Sequence, residues 1–301
     1  MTDEVSPYAK HQFASGTYNN SWANLFAFIP SGARVLDVGC STGNFGAALI
    51  QEKSCVVIGI DTNEADIAAA RTVLTDAHVL DITEPGAVDV LGAFDVIIFA
   101  DVLEHLPDPR VTLRSLRTVL TQHGFVAFSI PNMGHLSVRL DLLAGKFAYT
   151  ETGLLDRTHF HFYDREEITD MFAGGGFEIV DQNPVIVQYP DTWLVDRLGQ
   201  LGLVATDEFF ALMLETEGQV FQYVGVARPV DPEPLETTPR IERPMPIDEI
   251  IGYVQALIDE KDRAEKKAAD LEARLLSAQK HPVRYVVRRL ARATGWSKPN
   301  S

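Results

Sequence analysis

Four apolar segments in the first hundred or so residues each run into an aspartate: Val35-Leu36-Asp37, Val56-Val57-Ile58-Gly59-Ile60-Asp61, His78-Val79-Leu80-Asp81 and Phe94-Asp95-Val96-Ile97-Ile98-Phe99-Ala100-Asp101. Such short, nearly unbroken apolar runs are the pattern of strands buried on both faces. Helical segments separate them, so the chain is an α/β protein with a mostly parallel sheet and helices on both faces. Strands are predicted at 34–38, 55–61, 78–80, 94–101 and 124–130, with a sixth at 177–180 and a seventh at 219–227. Helices are predicted over 22–29 behind an Asn20-Ser21 cap, from the first turn to near residue 52, and over 63–74, 109–120, 166–172 and 190–216. Residues 132–163 read as irregular, aromatic and histidine-bearing.

The first strand enters Gly39-Cys40-Ser41-Thr42-Gly43 and then an apolar segment from Phe45 to Ile50, the order of a strand, a tight turn and a helix. Glycines at 39 and 43 permit positive φ and close approach to a ligand. The first N–H groups of the helix face whatever polar group binds there. In an open α/β sheet the ligand crevice lies at the carboxyl ends of the strands, where the four aspartates stand. Asp61 is placed to hold a ribose diol, which both a nicotinamide dinucleotide and S-adenosylmethionine carry. The turn lacks the Gly-x-Gly-x-x-Gly spacing of a dinucleotide site. Asp37, directly before it, would repel a pyrophosphate but suits an amino-acid ammonium group. These features favour S-adenosylmethionine.

With Val35 to Gly43, Gly59-Ile60-Asp61, Phe94 to Ile97 and Asp101-Val102-Leu103-Glu104-His105-Leu106-Pro107-Asp108-Pro109, the chain resembles the class I S-adenosylmethionine-dependent methyltransferases over roughly residues 20–228. The resemblance implies a Rossmann-like fold, with Gly39, Cys40, Ser41 and Gly43 around the methionine end of the donor and Asp61 with Thr62 at the ribose. It implies Asp81 and Ile82 at the adenine, and Asp101 and Val102 beside the methionine moiety. Ser41 departs from the family pattern, which often has a middle glycine there.

A sulfonium is already activated, so the enzyme mainly aligns the acceptor with the methyl group, and an alcohol acceptor must also lose its proton. The candidates lie in Gly153 to Tyr163, which resembles the Asp-x-Thr-His segment of a methyltransferase subgroup acting on sugars and cell-surface glycans. His159 is the expected base, with Asp156 orienting it or binding acceptor hydroxyls; the alternative is that both are structural. His161, two residues on, would share a face with His159 on a strand. No metal is expected, although Glu104, His105, His159 and His161 are residue types that bind one. The acceptor expected from this resemblance is a hydroxyl of a saccharide or glycan intermediate. The alternatives are a quinone- or polyketide-like small molecule, or a cofactor-binding scaffold without turnover.

The expected organisation is a methyltransferase domain over 1–229, a proline-rich linker over 230–246, a heptad helix over 247–280 and a basic tail over 281–301. Ile247, Ile250, Val254, Leu257, Lys261, Ala264, Ala268, Leu271, Leu275 and Ala278 recur at alternating spacings of three and four. That pattern fits a coiled coil joining copies of the chain, or a solvated helix with a shallow seam. The net charge of −16 argues against nucleic acid as a partner, yet Lys280 to Ser301 holds six basic residues and no acid. This tail reads as contacting a membrane surface or an acidic partner. An acidic N-terminus, Met1 to Ser6, and the lack of a long apolar run suggest a cytoplasmic protein, peripheral at the inner membrane face. Cys40 and Cys55 are expected as separate buried thiols, and Tyr8, His11 and Tyr18 as a flap or as packing on the first helix.

Overall fold

A computed structural model of the chain describes residues 19–230 and 266–267. The chain divides into two units, Met1–Pro234 and Leu235–Ser301. In the second, only Lys266 and Lys267 are described, both helical and exposed. The N-terminal aromatic lead-in, most of the linker, the heptad pattern and the basic tail therefore lie outside the described residues. No helix of the described residues is long and apolar enough to cross a membrane.

The predicted strands all form: β1 (Arg34–Val38), β2 (Val56–Asp61), β3 (Asp76–Val79), β4 (Phe94–Ala100), β5 (Leu120–Pro131), β6 (Phe177–Gln182) and β8 (Val220–Pro229). The sheet nevertheless has eight strands, because the two-residue β7 (Val185–Ile186) pairs with β8. A strand of that length carries no readable period. The order is β3-β2-β1-β4-β5-β8-β6, with β7 also on β8. The first five pair in parallel, and β8 runs antiparallel to β5, β6 and β7. Between β1 and β4 the order reverses, which opens a crevice at their carboxyl ends.

Alternate strand residues face two helical layers. Leu36, Val38, Ile97, Phe99 and Phe128 join Leu113 and Leu116 of α4 (Pro109–Leu116) and Ile168, Met171 and Phe172 of α6 (Arg165–Gly174). Val35, Val57, Val96 and Ile98 meet α1 (Ser21–Phe28), α2 (Asn44–Lys53) and α3 (Glu64–Ala70) through Leu25, Phe45, Leu49 and Ile67. A third, smaller cluster joins α5 (Leu136–Leu143), α7 (Asp191–Gly199) and α8 (Asp207–Glu215) through Leu136, Leu140, Leu194, Leu198, Phe209 and Phe210.

Several helices start where a side chain satisfies their first N–H groups. Asn20 caps α1, Asn63 caps α3, Asp108 precedes Pro109 of α4, and Asp164 caps α6. The differences from expectation are local. The third strand is 76–79 rather than 78–80, and the helix predicted over 63–74 ends at Ala70. The one over 109–120 gives way to a 3₁₀ turn after Leu116. The 190–216 segment breaks into α7 and α8, where Gly202 takes φ +74° and the Thr206 hydroxyl accepts from the Phe209 N–H. The irregular stretch after β5 contains α5, whose cap is the His135 ring rather than a usual capping residue.

Candidate active site

The glycine turn leaves β1 in three left-handed steps: Gly39 at φ +68°, Ser41 at +47° and Gly43 at +81°. A Cβ on Gly39 would come within 2.7 Å of Val102 Cγ2, so the turn packs directly on the residue after Asp101. The Gly39 and Cys40 N–H groups donate to the Ile60 carbonyl, which ties the turn to β2. Asp61 Oδ2 accepts from the Ser41 N–H at 2.9 Å and Oδ1 from the Asn63 N–H at 2.9 Å. Each oxygen keeps a further lone pair for a hydroxyl. Thr62, next in the chain, is exposed.

Asp37 is 3% exposed, its Oδ2 has no hydrogen-bond partner, and a Cβ on Gly46 of α2 would lie 3.3 Å from that oxygen. Burial, and secondarily the neighbouring Asp61 carboxylate, push its pKa up to about 7. The Cys40 thiol is buried and pushed upward by burial and then by Asp37, Asp61 and Asp66. Several carboxylates around one turn make a pocket for a cation and hydroxyls, hostile to phosphate.

Asp101 also stands in the left-handed region, at φ +56°. Its Oδ1 accepts from the Ser129 hydroxyl of β5 and from Gln222 Nε2 of β8, both at 2.9 Å. Asp81 is exposed and its Oδ1 accepts from the Thr83 N–H and hydroxyl, while Ile82 is buried in the core.

Beyond Asp101 the chain makes one 3₁₀ turn, Leu103–His105, that buries Glu104 at 1% exposure with neither carboxylate oxygen hydrogen-bonded. Burial first, then Asp101, raise its pKa well above the usual carboxylate value. The Glu104 carbonyl accepts from the Phe160 and His161 N–H groups, which brings the segment after α5 over this turn. His159 Nε2 lies 4.0 Å from Glu104 Oε1, and the His159 ring stands edge-on to His105 with centroids 4.7 Å apart. Burial, then the neighbouring His105, lower the His159 pKa to about 4. Both shifts disfavour the charged forms, and at 4.0 Å the two groups lie beyond hydrogen-bond distance.

Asp156 is 1% exposed, and its Oδ1 accepts from the Thr158 N–H at 2.8 Å and hydroxyl at 2.7 Å. His105 Nδ1 lies 3.2 Å from both the carbonyl and the hydroxyl oxygen of Thr158. The His159 N–H donates to the Asp156 carbonyl. Asp156 thus shapes the turn that carries His159. Residues 157–162 form no strand, so His159 and His161 do not share a face: His161 turns to the Pro107 carbonyl at 3.2 Å. Glu104, His105 and His159 present ligand atoms within 4.8 Å of one another, a donor set that suits a divalent cation although no metal is expected from the sequence. Beyond His159 the rings continue to Phe162 at 6.1 Å, and from Phe162 to Phe147 at 6.1 Å and Tyr149 at 6.5 Å.

The structure therefore gathers Asp37, Gly39, Cys40, Ser41, Gly43, Asp61, Asp101 and Val102 around one crevice, and sets Asp156 and His159 on a separate segment. Sequence reasoning missed Ser129, Gln222 and Asp66, each of which acts on a partner 25 to 121 residues away. Thr158 stood within the Asp-x-Thr-His segment, but its bonds to Asp156 were not foreseen.

Residues 9–182 match the family described as "Methyltransferase domain". Among curated proteins, the chain is 28% identical over 189 residues to a ubiquinone biosynthesis O-methyltransferase of Acinetobacter baumannii (strain AYE), covering 59% of this chain and 78% of that one. It is 35% identical over 108 residues to a protein of the same name from Stutzerimonas stutzeri, covering 34% of this chain and 46% of that one. Among solved structures, a magnesium protoporphyrin IX methyltransferase from Synechocystis PCC 6803 with bound SAH is 17% identical, covering 65% of this chain and 74% of that one, with a TM-score of 0.42.

Proposed function

The chain belongs to the methyltransferase-domain family, and on that premise we propose that it moves the methyl group of S-adenosylmethionine to a hydroxyl on a small aromatic acceptor of phenol or quinol type. The observation that carries this reading is the run of rings leading away from His159, through Phe162 to the half-exposed Phe147 and Tyr149. A flat, apolar acceptor can lie against these rings with one hydroxyl toward His159. A saccharide would call for several free polar side chains, whereas Asp156 and Thr158 beside His159 are already bonded to each other. The quinone-pathway names of the curated relatives support the same choice.

The donor half follows from the turn. Asp61 accepts the ribose hydroxyls, and Asp37, buried and lacking a partner on Oδ2, takes the ammonium group. Gly39 and Val102 line the methionine end, with Asp101 held above it by Ser129 and Gln222. In the transfer, the acceptor oxygen attacks the methyl carbon in line with sulfur. The carbon–sulfur bond breaks, and sulfur keeps the electron pair as S-adenosylhomocysteine. The hydroxyl proton passes to His159, whose unprotonated ring accepts it only as the oxygen loses it to the forming bond, since burial holds the ring's pKa down at about 4 and it hands the proton on readily.

A second reading has its own observation. Glu104, His105 and His159 would hold a divalent cation, which would lower the acceptor's hydroxyl pKa.

The test is methyl transfer from labelled S-adenosylmethionine to catechols and simple phenols, beside sugar nucleotides and lipid-linked saccharides, each with and without a chelator. Methylated catechol is expected. Product only from saccharides would overturn the phenol reading in favour of a glycan acceptor, and insensitivity to chelation would remove the cation.

A further inference from the structure

Ser41 occupies a left-handed position, which a residue with a side chain adopts less readily than glycine does. Something must hold it there. Its hydroxyl donates to Asp66 Oδ2 at 3.0 Å, and Asp66 is fully buried on α3. The Asp66 N–H in turn donates to the capping Asn63 Oδ1 at 3.1 Å, the Asn63 N–H donates to Asp61 Oδ1, and the Ser41 N–H donates to Asp61 Oδ2. The four residues close a ring of hydrogen bonds that joins the glycine turn to the loop after β2, with both oxygens of Asp61 inside it.

We propose that Asp66 is a positioning residue of the donor site: by anchoring Ser41 in its left-handed conformation, it fixes the Asp61 carboxylate in the orientation that receives the ribose hydroxyls. The idea rests on the assignment of Asp61 to the ribose. A ring of this kind sets direction without touching the donor. Losing one link frees the Ser41 N–H to rotate away, and with it one of the two bonds that aim Asp61.

The experiment measures binding of S-adenosylhomocysteine and of its 2′,3′-dideoxyribose analogue by calorimetry. D66A is expected to weaken S-adenosylhomocysteine about tenfold and the dideoxy analogue by less than about twofold, since the bonds at stake are those to a charged acceptor. In S41G/D66A most of the loss is recovered, because glycine holds a positive φ without an anchor. Equal losses for both ligands, or none, overturn the proposal. If D66A does not fold, S41A poses the same question on the half-buried turn, keeping the Cβ and removing the anchor. The same selective loss is expected, and parental binding of both ligands overturns the proposal. D61A separates the two ideas: parental binding by D61A overturns the ribose assignment itself, whereas weak binding by D61A beside intact D66A and S41A overturns the role of Asp66 alone.

Discussion

The donor crevice and the acceptor side meet at the turn after β4, yet they are built in different ways. On the donor side the carboxylates of Asp61 and Asp66 are drawn into hydrogen bonds with residues no more than 25 positions distant. On the acceptor side, His105 reaches Thr158 across 53 residues, and the Glu104 carbonyl takes the Phe160 N–H across 56. On the function proposed above, the donor-side carboxylates serve hydroxyls and a cation. The acceptor side instead packs an acid and two imidazoles against one another, and burial shifts each toward its uncharged form. On that proposed function, one half is a hydrogen-bonded cradle for the donor and the other a place in which a proton is received.

Four measurements would break or sharpen that contrast. The largest effect is expected at His159: H159A should lower kcat about 10²- to 10⁴-fold with little change in donor affinity, the scale of a lost general base. A parental rate would make the residue structural and empty the acceptor half of its chemistry. Next, D61A should weaken donor binding about a hundredfold, for two hydroxyl bonds to a charged acceptor; calorimetry reads this directly, and unchanged affinity would dissolve the cradle.

The third effect concerns protons. Asp37 is held up to about 7, and only its ionised form attracts an ammonium group. Donor binding below that pH must therefore expel a proton, so parental affinity should rise with pH toward 7, by at most about tenfold per unit, and level off above it. D37N should bind weakly and without that slope, and a parental slope in D37N would remove Asp37 from the site. The smallest effect is expected at Glu104. Burial pushes its carboxyl toward the protonated form, so E104Q in chelator-treated protein should change unfolding stability by less than about 1 kcal/mol. A larger loss would mean the acid is ionised and the acceptor side is not neutral.

The same contrast explains what could be read in advance. Val35 to Gly43 and Gly59 to Asp61 carry their structure locally: apolar β-branched runs make buried strands, and glycines supply positive φ. The cap at Asn20 was legible for the same reason, while those at Asp108 and Asp164 emerged with the structure. Ser41 was legible as a departure from the family pattern, but the Asp66 bond that makes a left-handed serine tolerable was not. The pairing of His159 with His161 failed because it presumed a strand where Phe160 and His161 instead donate to the Glu104 carbonyl. The bonds from Thr158 to Asp156 came into view only with the structure.

By itself, then, the sequence determined the mostly parallel sheet, the glycine turn at a strand's carboxyl end, and the acids that make a phosphate unwelcome there, because each depends on residues adjacent in the chain or on strand periodicity; the strand order was read only from the structure. Tertiary structure alone decided that Glu104 faces His159, that Gln222 of the antiparallel β8 holds Asp101, and that Asp66 steadies the turn. Those contacts come from folding distant segments onto one another, and no local pattern encodes where a loop of twenty residues will come to rest.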